Sequence, residues 1–219
     1  LSSTVSGVSQ VYFALRENTL AEGVKYTFTL TGTLSSGDAQ ALATVLIETN
    51  APPIPGVLTV IPSSGTELVT DFAIMAALWL DSDLPVTYSI FYVDPLSLSA
   101  RVVRSRSETP FGVSKLPAGN RMQNYTISCG VQVYDSLDAM SSLLNNSIVV
   151  NKLQITTEQL QVLVAAQISN NAGNTEGTKQ ALTTGSTALN AVECNFAPAC
   201  ELLNRTPCVM KEHTCGSCQ

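Results

Sequence analysis

Val24-Lys25-Tyr26-Thr27-Phe28-Thr29-Leu30-Thr31 is the stretch on which the fold turns. Its apolar residues alternate with polar ones, the period-two signature of a strand with one face turned to a core. Ala21-Glu22-Gly23 marks a turn before it and Ser35-Ser36-Gly37-Asp38 a turn after it. A further strand is expected from Ala41 to Glu48. The same text then recurs. Leu20-Ala21-Glu22-Gly23 returns as Leu116-Pro117-Ala118-Gly119, and Tyr26-Thr27-Phe28-Thr29 as Tyr125-Thr126-Ile127-Ser128. Asp38-Ala39 returns as Asp138-Ala139, and Asn50 as Asn151.

A repeat of about a hundred residues matches one immunoglobulin-like sandwich of about seven strands. Residues 1–50 then read as the C-terminal half of such a sandwich, and 51–152 as a complete one. Within the complete copy, strands are expected at Val57–Ile61, Phe72–Leu80, Pro85–Val93, Ala100–Arg104, Tyr125–Tyr134 and Ser142–Val150. Pro62-Ser63-Ser64-Gly65, Asp81-Ser82-Asp83, Asp94-Pro95 and Pro117-Ala118-Gly119-Asn120 supply the turns. The lone Trp79 is expected between the sheets.

After Asn151 the period changes. Thr156-Thr157-Glu158-Gln159 is a capping box, and Leu160, Leu163, Val164 and Ile168 follow at helical spacing. Asn170-Asn171-Ala172-Gly173 ends that helix. A weaker one follows from about Thr175 to Asn190, interrupted by Gly185. Residues 153–192 therefore read as a helical hairpin against the sandwich or a neighbouring module, and 193–219 as the start of a Cys-rich module. The fold class is mainly β: tandem immunoglobulin-like β-sandwiches, a short helical hairpin and a small disulfide-rich unit.

Composition narrows the function. Apolar residues make up 45% of the chain, enough for packed cores, and charged residues only 13%, which suits an exterior surface of Ser, Thr and Asn. The 11 basic residues fall short of the 17 acidic ones, and the net charge of −6 disfavours nucleic acid. The longest apolar run, Phe72 to Leu80, is far short of the ~20 residues of a membrane span.

Cys194, Cys200, Cys208, Cys215 and Cys218 crowd the tail. Zinc could take Cys208, His213, Cys215 and Cys218, but no second Cys-x-x-Cys pair completes the usual site, and disulfides are the expected state. Cys129, on the inward face of its strand, reads as a small buried hydrophobe, which leaves the odd tail cysteine to a partner beyond Gln219. Asn124, Asn145 and Asn204 head glycosylation sequons that agree with an oxidising exterior.

Asp81 and Asp83 could offer oxygens to calcium, but turn residues bonding their own backbone account for them more simply, so no metal or cofactor is expected. Arg101, Arg104, Arg106 and Lys115 read as a solvated edge, with an acidic docking partner as the sharper option. The Tyr and Phe residues fall mostly on inward strand positions, so no aromatic platform for glycans is expected. The single His213 and the lack of nucleophile-elbow, phosphate-loop or paired-His motifs argue against an enzyme.

Pro52-Pro53, Gly56, Pro62-Ser63-Ser64-Gly65-Thr66 and the run Trp79-Leu80-Asp81-Ser82-Asp83-Leu84-Pro85-Val86-Thr87-Tyr88 carry a family resemblance. The text resembles the receptor for egg jelly (REJ) module of polycystin-type ectodomains and protist surface glycoproteins. Leu116-Pro117-Ala118-Gly119 and Val131-Gln132-Val133-Tyr134-Asp135-Ser136 fit its later part, and the tail resembles the Cys-rich repeats that follow such modules. The resemblance implies an extracellular, modular, non-enzymatic protein and carries over no catalytic residues. Flagellar hairs (mastigonemes) are built from similar glycoproteins. The expected function is a structural segment of a cell-surface or flagellar filament or coat, whose partners are other chains or copies of itself and N-linked glycans. The alternative is the ectodomain of a polycystin-like receptor or channel at the cell or ciliary surface.

Overall fold

The computed structural model describes residues 4–5, 12–35, 37, 39–192, 194, 196–208 and 211–218. Asp38, one member of the repeat, lies outside them. Among the described residues, ten strands are followed by two α-helices. β1 (Lys25–Thr33) and β2 (Gln40–Glu48) form an antiparallel hairpin with Phe28 opposite Val45. The alternation predicts a buried face here, yet Leu30 is 61% and Val45 54% exposed. Among the described residues no second layer covers this two-stranded ribbon; Phe13 and Tyr26 flank Phe28, with ring centroids 5.6 and 6.4 Å away.

The complete copy is a sandwich of two sheets. β3 (Val57–Ile61), β5 (Asp71–Ala77) and β8 (Phe111–Lys115) form a three-stranded antiparallel layer. β4 (Ser64–Thr66), β10 (Leu144–Asn151), β9 (Thr126–Tyr134), β6 (Thr87–Val93) and β7 (Ala100–Ser107) form the other, in that spatial order. β9 and β10 occupy the repeat positions of β1 and β2, and Ile127 faces Ile148 as Phe28 faces Val45. The two layers close on Leu58, Phe72, Ile74, Ile90, Val131 and their neighbours. Cys129 is fully buried among them, as expected.

Three departures from the sequence reading have physical causes. The strand expected to reach Leu80 ends at Ala77, because Leu78 adopts a left-handed backbone (φ 61°). In β5 the even-numbered residues point inward, so a regular strand would bury Leu78 and expose Trp79. The left-handed residue inverts that phase: Leu78 is 77% exposed and Trp79 only 7%. Gly56 makes the bend possible, since a Cβ there would lie 2.0 Å from the Ala77 carbonyl.

β8 was not anticipated because its alternation is reversed, with Gly112 and Ser114 inside and Phe111 and Val113 outside. Side chains from the facing sheet fill that space: a Cβ on Gly112 would meet Val103 at 3.0 Å. Ser64-Gly65, read as a turn, is part of β4 and pairs in parallel with the end of β10.

α1 (Thr157–Asn170) starts at the anticipated capping box, with Thr156 accepting from the Gln159 N–H and Gln159 accepting from the Thr156 N–H. Its apolar stripe packs on Leu68 and Ala188. α2 (Thr175–Leu189) runs unbroken through Gly185, which does not interrupt it. A Cβ there would come 2.5 Å from the Val164 side chain, so the glycine sets how closely the two helices meet.

The hairpin seals the open side of the sandwich between β7 and β8. Glu176 accepts from the Ser105 N–H (3.3 Å), Gln180 donates to the Val103 carbonyl and Thr184 to the Lys115 carbonyl (3.1 Å). Helix side chains thus satisfy strand groups that would otherwise be unpaired.

The register fixes where the chain enters and leaves. β9 runs from its Thr126 end to Tyr134, which lies opposite Thr87, and β10 returns to Val149 beside Thr126. Asn50 sits at the Tyr134 end, where its side chain donates to Asp135. Thr187 docks on Asp94, at the opposite end of β6. The chain therefore enters the sandwich at one pole and leaves α2 at the other.

Candidate functional site at the module joint

The pole at which the chain enters carries the most organised polar cluster. After Trp79, Leu80 bridges to Ile54. Asp81 then folds the chain by accepting from the Asp83 N–H at 2.7 Å, the turn role read from the sequence. The Asp83 carbonyl accepts from the Ser136 N–H at 3.0 Å, which joins this loop to the one after β9. Asp135 is completely buried. One of its carboxylate oxygens accepts from the Leu137 and Ala139 N–H groups, each at 2.8 Å, and the other from the Asn50 amide.

Arg106 closes the cluster. It pairs with Asp138 at 2.6 Å, donates to the Thr87 hydroxyl at 2.7 Å and to the Asp135 carbonyl at 3.4 Å, and covers the Tyr134 ring at 4.3 Å. Arg101 pairs with Asp94 at 3.5 Å, and Arg104 lies over Phe111. Arg101 and Arg106 stay exposed on β7, the edge strand of its sheet, in keeping with the solvated edge read from the sequence, and each is also tied to a carboxylate.

Asp81, Asp83 and Asp135 bring carboxylate oxygens within 4.8 Å of one another. The donors around them answer that charge: backbone N–H groups, the Asn50 amide and the Arg106 guanidinium occupy this corner. The arrangement is that of a hydrogen-bonded anchor between the incoming chain and the sandwich. A polar cleft of about 150 Å³ under the helices is likewise built from engaged groups, with Lys115 bound to Asp71 (2.6 Å) and to the Val69 carbonyl (3.1 Å).

Burial alone would raise the Asp135 carboxyl, but the Asn50 amide, the Ala139 and Leu137 N–H groups and Arg106 outweigh it and hold it below its ordinary value. Asp94 behaves alike: burial opposes ionisation, and the Ser97 N–H, the Thr187 hydroxyl, the Leu96 N–H and Arg101 favour it. A carboxyl depressed in the folded state stabilises the fold above its unfolded value of about 3.9 and loses that contribution as pH falls through the folded value. Thermal melts should hold steady from neutral pH to about pH 5 and decline below about pH 4. A midpoint unchanged in strong acid would contradict this anchoring.

The tail holds Cys194–Cys208 and Cys200–Cys215 disulfides, interleaved across loops of 14 and 15 residues. Closing a loop of that size restricts the unfolded chain by about 3 kcal/mol. Cys208 and Cys215 are thereby removed from the alternative zinc set, and His213 packs edge-on against Phe196 at 5.3 Å. Cys218, the odd tail cysteine, is exposed and pairs with none of the other five cysteines. Cys129 is unpaired and buried, its thiol pushed up to about 12 by desolvation. A maleimide applied to the folded chain should label Cys218 alone, with Cys129 reacting only on unfolding; native labelling of Cys129, read by peptide mass, would refute its burial.

Asn124, Asn145 and Asn204 are all exposed, the first and last in left-handed turns and Asn145 on β10. Tyr12, Phe13, Phe111 and Phe196 are exposed, while the other Tyr and Phe residues are buried or half-buried. Asp94, read as a turn residue, accepts from the Leu96 and Ser97 N–H groups of its own turn, whereas sequence reasoning passed over Asp135 and Glu67 as structural residues. Buried Glu67 accepts from the Ala118 and Leu153 N–H groups, each at 3.0 Å, and so ties the sandwich to the segment leading into α1. The available signal for Asp135 was an aspartate at a strand end with a short loop after it, the pattern of a side chain that organises its own turn.

The REJ domain family model matches residues 1–194, which takes in the hairpin, the sandwich and both helices. The chain belongs to the REJ-domain family. This REJ chain is of the extracellular, polycystin-like ectodomain type, and its disulfides suit that compartment. No described helix is long and apolar enough to cross a membrane. Among solved structures, the fibronectin(III)-like modules of Clostridium thermocellum CbhA align with a TM-score of 0.38 and 21% identity, over 62% of this chain and 67% of theirs.

Proposed function

We propose that this REJ chain is a non-enzymatic structural segment of a large modular extracellular glycoprotein, one of a series of sandwiches arranged pole to pole in a cell-surface or flagellar filament or coat. The observation that carries the reading is the joint. Asn50 reaches a fully buried Asp135 at one pole, while the chain leaves from Asp94 and Thr187 at the other. A module anchored at its incoming pole holds direction from one unit to the next, as a spacer must. Its partners would be further copies or other chains of the assembly, and N-linked glycans would cover its uncharged faces.

Membership of the REJ family favours a second reading, the ectodomain of a polycystin-like membrane receptor or channel. Negative-stain microscopy of the native, full-length protein separates the two. The first reading expects a regular polymer with an axial repeat; isolated particles that require detergent for extraction would overturn it in favour of the receptor.

A further inference from the structure

Asn145 and Phe91 meet on the outer face of the five-stranded sheet, on either side of Gly130. The register places Gly130 opposite Phe91 on one side and opposite Asn145 on the other. A Cβ on Gly130 would lie 2.5 Å from the Phe91 ring and 2.8 Å from Asn145 Oδ1. Ring and amide therefore share the bare backbone between them. The next residue, Asn146, turns inward and donates its amide to the Leu58 carbonyl at 3.0 Å, whereas Asn145 faces solvent. Ser147, which completes the sequon, is exposed on the same face.

The surroundings are unusual for an outer sheet face. β6, β9 and β10 contribute no Asp, Glu, Lys or Arg of their own around Gly130. The outward residues include Ser89, Ser128, Gln132 and Ser147, with Phe91 beside Gly130 and Tyr134 at the far end of β9 under Arg106.

We propose that Asn145 carries an N-linked glycan whose first N-acetylglucosamine lies on the ring of Phe91. The proposal rests on the extracellular reading above. In the attachment, Asn145 Nδ2 gives up a proton and bonds to the anomeric carbon of a sugar delivered by a polyprenyl diphosphate carrier. The bond from that carbon to the diphosphate oxygen breaks, and the diphosphate leaves with the bonding pair. The C–H face of the pyranose then meets the electron-rich face of the phenyl ring. The ring supplies a platform beside the point of attachment.

The test uses the whole chain secreted from a eukaryotic host, with occupancy at each sequon read by peptide mass and stability by thermal melts. Ser147→Ala removes the glycan at Asn145 while leaving the asparagine in place. Phe91→Leu keeps an apolar cover over Gly130 but removes the aromatic face. The glycan should be present at Asn145, and Ser147→Ala should lower the midpoint by about 2–4 °C with Phe91 present and by under about 1 °C in the Phe91→Leu background. Occupancy at Asn124 or Asn204 with Asn145 bare overturns the proposal and leaves the extracellular reading standing. Occupancy at none of the three overturns both. Occupancy at Asn145 with equal shifts in the two backgrounds overturns the role of the ring.

Discussion

Replacing Trp79 with alanine should destabilise the sandwich by about 3–5 kcal/mol. In a chain of this size that lowers the thermal midpoint by about 10 °C or more. Trp79 is buried in the main core with Leu58, Phe72 and Tyr92, and its position depends on the left-handed Leu78 before it. The alanine variant loses the largest side chain of that core and leaves a void that the β5 bend cannot close, because Gly56 already touches the backbone there. Trp79→Phe keeps most of the volume and should lose about half as much. Denaturation followed by far-ultraviolet circular dichroism checks both, since the protein has one Trp and the variants lack its fluorescence. A loss below about 1 kcal/mol for the alanine variant would place the indole outside the core.

Asp135→Ala should cost about 3 kcal/mol. The Leu137 and Ala139 N–H groups and the Asn50 amide all lose their acceptor, and Arg106 is left facing fewer anions. Because the carboxylate also holds the incoming chain, the variant should be cut faster by protease between Asn50 and Pro53. Asp135→Asn retains an oxygen for the two loop N–H groups and should recover part of the stability while leaving the Asn50 contact weakened. Equal cleavage of all three proteins would show that the Asn50 contact does not fix the joint.

What could be read from the sequence followed from how local each cause is. The alternation of Val24 to Thr31, its return at Tyr125 and the capping box at Thr156 are properties of neighbouring residues, and the structure contains the corresponding strands and helix. β4 and β8 escaped because their partners lie elsewhere: β4 is held by backbone pairing with the end of β10, and β8 buries Gly112 and Ser114 against side chains of the other sheet. Gly185 looked like a helix breaker, and only the approach of Val164 reveals why it is there. The joint escaped for the same reason. Asp81 and Asp83 were visible as turn formers, but Asp135, Asn50 and Arg106 are distant in the chain and meet only after the sheets have closed.

The parallel pairing of β4 with β10 has a mechanical meaning in a chain that enters at one pole and leaves at the other. Tension between Asn50 and Asn151 pulls β3 and the adjoining β4 back toward the incoming pole, and β10 toward the outgoing one. The two neighbours slide along their length instead of peeling, so the rungs at Ser64, Gly65 and Thr66 carry load side by side and must yield together.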